Sequence, residues 1–131
     1  MKALFEIKEP LPFDKKIFDK LSAGAKAALG GANKGEFTQA VALLSEGGKV
    51  YCRLIQNTLD AEHIEEKELI AKLDGAKISR ILCMWQDGAI DIPSHDLRKL
   101  LLLSNSDNAD AGIFVRTAQG YSVIKLENTM K

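Results

Sequence analysis

Histidine and cysteine are scarce in this 131-residue chain, which has two of each: His63, His95, Cys52 and Cys83. No metal-ligand cluster and no disulfide framework is written in that set, so a structural zinc module and a disulfide-stapled secreted scaffold are excluded. No run approaches the roughly 18 apolar residues of a membrane-spanning helix. The opening MKALFEIKEP lacks a long apolar segment and carries Glu6, so it reads as neither a signal peptide nor an anchor. Net charge is also missing. Eighteen basic residues balance eighteen acidic ones, which removes any general pull toward nucleic acid or membrane. The eight aromatics fall at core positions and the basic residues are scattered, unlike the basic, aromatic-studded stripe of a nucleic-acid interface.

The motifs that suggest chemistry are each incomplete. Gly30 and Gly35 have the spacing of a phosphate loop, but Glu36-Phe37 stand where Lys and Ser/Thr are needed, so nucleotide phosphates are not held there. His63-Ile64-Glu65 matches the H-x-E half of the zinc-deaminase signature, without the P-C-x-x-C half that completes the metal shell. It also lacks the second His of a zinc-protease helix, and His63 reads as an exposed first-turn residue. Ser94-His95-Asp96 contains the residue types of a hydrolase triad. Neighbours at a helix start point about 100° apart and cannot align as one, however, and a cap plus a helix-start anion explains them. Cys52 and Cys83 read as buried free thiols of a reducing cytosol, although spacing alone leaves a bridge open. No cofactor, no metal and no catalytic residue is therefore expected.

What is present is a hub from Ile78 to Leu103. The apolar run Ile81–Trp85 suits a buried strand, and Gln86-Asp87-Gly88-Ala89 supplies a turn. Ala89–Ile92 returns as a short edge strand stopped by Pro93, and Ser94 caps a helix faced by Leu97, Leu100 and Leu101. Around it the pattern predicts a strand over Lys2–Lys8 and a helix capped by Asp14, with Phe13 stapled on Phe18 and Gly24 weakening its later turns. It further predicts a short helix from Glu36 to Leu44 or Ser45, a strand over Lys49–Gln56, and a helix over Ala61–Leu73 capped by Asp60. A closing hairpin, Ala111–Thr117 with Tyr121–Leu126, completes the chain, with a bulge at Gly112. The expected fold is one α+β domain over residues 1–131, a mainly antiparallel or mixed sheet with about four helices.

Charge is uneven along the chain. Asn57 to Asp110 holds eleven acids against six bases. That middle reads either as a solvated surface or as a docking face for a basic partner. The acids nominated for docking are Glu62, Glu65, Glu66, Asp87, Asp91, Asp107 and Asp110, with Trp85 read as a core residue or an interface anchor.

The wording Trp85-Gln86-Asp87-Gly88, Asp91-Ile92-Pro93-Ser94 and Leu97-Arg98, with the closing hairpin Tyr121–Leu126, resembles bacterial immunity proteins of contact-dependent growth-inhibition systems. The resemblance runs from Ile81 to Met130. It implies a small cytoplasmic protein without catalysis that binds a cognate toxin domain, often a nuclease, and blocks its active site. The alternative is a small-molecule-binding or regulatory domain, dimeric through the hub's edge strand. Oligomeric state is left open by the sequence.

Overall fold

The computed structural model describes residues 10–30, 38–56 and 61–130. Asp14 starts the first helix, α1 (Lys15–Gly30): its Oδ1 accepts from the backbone N–H of Lys16 at 2.9 Å and of Ile17 at 3.2 Å. Phe13 packs on Phe18 with ring centroids 5.4 Å apart, as the staple predicts. The helix runs on past Gly24 and buries Leu21, Ala25 and Leu29.

The next described element corrects the sequence reading. Where a short helix over Glu36–Ser45 is expected, Gln39–Ser45 forms strand β1. The spacing of Ala40, Val41 and Leu44 fits a helical stripe, but every residue of β1 is buried. A strand covered on both faces loses the polar–apolar alternation that would identify it. Strand β2 (Val50–Ile55) returns antiparallel to it, and Gly48 (φ +94°) supports the intervening turn. The chain then forms α2 (Ile64–Leu73), β3 (Ile78–Trp85), the short β4 (Ile90–Asp91) and α3 (His95–Ser104). A 3₁₀ turn (Ser106–Asp110) leads into the hairpin β5 (Gly112–Thr117) and β6 (Gly120–Lys125), and a second 3₁₀ turn (Leu126–Thr129) follows.

The sheet order is β2-β1-β3-β5-β6, with β4 on β3, which makes a mixed sheet of six strands. Only β3 and β5 run parallel. That pairing requires a crossover, and α3 provides it. Three α-helices are described rather than about four, and the α+β expectation otherwise holds. The strand expected over Lys2–Lys8 and the cap expected at Asp60 lie outside the described residues.

Each face of the sheet has its own core. On one face Val41, Leu43, Ile81, Cys83 and Ile113 meet Leu69 and Leu73 of α2 and Leu97 and Leu101 of α3. On the other, Ala40, Ala42, Leu82, Met84 and Phe114 meet α1. Burying each large aliphatic side chain contributes about 1.5–3 kcal/mol. Cys52 packs on the α1 side and Cys83 on the α2–α3 side, and both are free thiols. Burial pushes both thiols up, Cys83 strongly. The register through Gly112 is continuous, so the expected bulge is absent. That glycine serves close packing instead, since a Cβ there would lie 2.5 Å from Val123 Cγ1.

Among the described residues no helix is long and apolar enough to cross a membrane.

Candidate functional site

The starts of α2 and α3 lie side by side on one face of the sheet, and a single imidazole joins them. His63 stands at the N-cap position of α2 with φ 53° and ψ 43°, the left-handed region that a non-glycine residue adopts at a cost of about 1–2 kcal/mol. Its side chain caps nothing. Instead Nδ1 lies 3.0 Å from Glu66 Oε2, and Nε2 lies 3.2 Å from Asp96 Oδ2. Carboxylates therefore flank both ring nitrogens. The Nδ1–Glu66 contact is a hydrogen bond, and the contact of Nε2 with Asp96 is an ion-pair distance.

The two partners differ. Glu66, three residues along α2, is 3 % exposed, and its Oε1 has no hydrogen-bond partner among the described residues. Asp96, in the first turn of α3, has a side chain 53 % exposed. Ser94 Oγ accepts from Leu97 N at 3.2 Å and so caps α3, as the sequence predicts. Pro93 is buried just before it, and Leu97 is 1 % exposed in the core. His95 is exposed. No Ser–His–Asp alignment forms: it is His63, not His95, that meets Asp96.

Other acids near this site hold the fold. Glu65 accepts from Gln56 N at 2.9 and 3.1 Å, and Arg53 binds Glu68 at 2.7 Å, which ties the end of β2 to α2. Behind the start of α3, Arg98 is 8 % exposed and donates to Thr129 O at 2.9 Å. Burial lowers its pKa. On the opposite face of the sheet, a cavity of about 290 Å³ is lined by Lys26, Leu29, Gly30, Met84, Gln86 and Gly88. The sheet separates it from His63.

Of the remaining nominated acids, Asp87, Asp91, Asp107 and Asp110 do not gather here. Asp87 Oδ1 accepts from Ala89 N in the turn after β3. Asp91 accepts from Trp85 Nε1 at 2.9 Å and from Ile92 N at 2.8 Å, which holds the half-buried Trp85 against β4. Asp107 and Asp110 flank Asn108, whose Oδ1 accepts from Ile78 N at the other end of β3. Eight residues of strand, about 26 Å at 3.3 Å per residue, therefore separate Asp87 from that turn. Glu62 lies exposed just before α2.

No protein-family profile and no curated protein sequence matches this chain. Solved structures do. A cytidine deaminase from Mycobacterium leprae superposes with TM-score 0.61 at 20% identity, covering 81% of this chain and 92% of its own. A mutant cytidine deaminase from Mycobacterium tuberculosis gives TM-score 0.67 at 16% identity, with 86% and 90% covered. The cytidine deaminase from Bacillus anthracis gives 0.64 at 13% identity, with 88% and 89% covered. At these identities the likeness establishes the fold. It corrects the resemblance to immunity proteins, which these neighbours do not support. The cognate toxin partner falls with it, which leaves Glu62, Glu65, Glu66, Asp87, Asp91, Asp107 and Asp110 without the partner they were nominated to meet. The expectation of a chain without catalysis falls as well, since the neighbours are enzymes.

This fold sharpens the half-signature noted in the sequence. His63-Ile64-Glu65 opens α2, and Pro93-Ser94-His95-Asp96-Leu97 opens α3 in the register of P-C-x-x-C. Ser94 and Leu97 occupy the two cysteine positions. The donor set does not fit zinc: one position carries a hydroxyl already spent on a cap, the other an alkyl chain in the core. Nor do Glu66 and Asp96 compensate, because they bind opposite nitrogens of the ring and cannot share an ion bound to either one. Among the described residues no group of three or more His, Cys, Asp or Glu could hold a metal. The sequence reading missed the clamp because its halves lie on separate helices. The proline preceding Ser94 was the signal that could have paired the two segments.

Proposed function

We propose that this chain binds a pyrimidine nucleoside or a close analogue where the starts of α2 and α3 meet, and acts on it without a bound metal. The chemistry that the site supplies is proton transfer through His63 and its flanking carboxylates. One observation carries this reading: His63, flanked by Glu66 and Asp96, joins the starts of α2 and α3 in a fold shared with cytidine deaminases. The two unpaired thiols favour a reducing compartment, and we assign the protein to the cytoplasm.

Hydrogen exchange with and without cytidine and uridine tests the site. The expected result is ligand-dependent protection in residues 61–68 and 93–98, unchanged by chelator. Protection confined to the Lys26 cavity, or none with either nucleoside, overturns the proposal.

A further inference from the structure

The two carboxylate contacts on His63 are unequal in kind: Glu66 is hydrogen-bonded to Nδ1, whereas Asp96 lies 3.2 Å from Nε2 as an ion-pair contact. Glu66 sits on the same helix, three residues on, with its side chain 4 % exposed. Breaking a buried pair of this type is strongly unfavourable, because it strands a charge away from water. Asp96 reaches in from the neighbouring helix with a side chain more than half exposed, and water readily replaces such a contact. Asp96 is also not needed as the cap of α3, because Ser94 performs that task. Its carboxylate accepts no hydrogen bond among the described residues, and His63 is its ion-pair partner.

We infer that Asp96 is a latch: its carboxylate covers Nε2 of His63, and its withdrawal exposes that nitrogen on a ring still anchored through Nδ1 to Glu66. Asp96 is thus a positioning residue that decides when His63 is available for proton transfer. The left-handed backbone at His63 fits this role, because a strained conformation persists only where its surroundings hold it. The inference rests on the geometry of three side chains and stands whether or not the ligand is a nucleoside.

Diethyl pyrocarbonate, which acylates an accessible imidazole nitrogen, tests it on the full-length protein. Peptide mass spectrometry reads the rate at each of the two histidines, and exposed His95 serves as the internal reference. In the wild type His63 is expected to react about three- to five-fold more slowly than His95, the scale of a partly exposed ion-pair contact. Asp96→Ala and Asp96→Leu should both bring His63 close to the rate of His95, to within about 1.5-fold, as the ion-pair contact is lost. The leucine keeps the steric cover and removes the acceptor. Equal rates in the wild type, or no acceleration in either variant, overturns the latch. Acceleration in the alanine variant alone also overturns it, because bulk rather than the carboxylate contact would then be the shield. Failure of nucleoside binding leaves these rates unchanged, so the two proposals fail separately.

Discussion

Gly24 of α1 lies so close to Cys52 of β2 that a Cβ on the glycine would stand 2.9 Å from the sulfur. The glycine that weakens the helix in isolation is what lets α1 settle on the sheet. Ala40 and Ala42 supply the matching small surface from β1.

Gly24→Ala is accordingly expected to destabilise the protein. Overpacking costs about 1–3 kcal/mol, offset by about 1 kcal/mol of helix propensity. Combined with Cys52→Ala the loss should be less than additive, by about 1 kcal/mol in urea unfolding. Full additivity would mean that the contact carries no strain.

Asn108 is fully buried and connects the 3₁₀ turn to the sheet, with Oδ1 accepting from Ile78 N at 2.7 Å and Nδ2 donating to Leu101 O at 2.9 Å. The Leu101 carbonyl also accepts from Ser104 Oγ and Asn105 N, so truncation orphans mainly the Ile78 N–H. Asn108→Ala should therefore cost about 1–3 kcal/mol by denaturant titration. A change near zero would show that water reaches Ile78 without penalty.

Stability should decline on the alkaline side. Burial raises the Cys83 thiol well above its ordinary value of 9.0. The folded state therefore keeps a proton that the unfolded chain releases. Its contribution is intact below the unfolded value and falls as pH rises beyond it, by about 1.4 kcal/mol per pH unit until the folded thiol also ionises. Lys77, raised by its hydrogen bond to Glu46, acts in the same direction at still higher pH. Cys83→Ala should flatten the decline above about pH 9, and equal slopes in both proteins would refute the assignment.

Replacing Ser94 and Leu97 with cysteine, together with Asp96→Ala to release His63, should create a zinc site that the wild type lacks. The expected stoichiometry is about one zinc per chain by elemental analysis, as a His–Cys–Cys shell takes one ion. Zinc in the wild type, or none in the triple variant, would show that the two helix starts are not in the register argued above.

Local chemistry made much of this fold legible. Asp14 and Ser94 declared their helices through capping, and Asp87-Gly88 and Asp74-Gly75 declared where chain direction changes. Burial on both faces hid β1, whose residues at helical spacing carry no contrary signal. Ser94 and Asp96 were read correctly as cap and helix-start anion, yet the pairing of Asp96 with His63 depends on α2 packing beside α3. No single-segment pattern contains that contact. The acids were visible as a charge excess, but only the fold shows Glu65, Asp87 and Asp91 engaged in backbone and indole hydrogen bonds.

Calorimetric titration of cytidine into chelator-treated protein tests the central claim most directly. The account predicts saturable binding at one site per chain, with the same affinity after zinc is restored. Absence of saturable heat with cytidine, or binding that appears only with zinc, would contradict a metal-free nucleoside site at the α2–α3 junction.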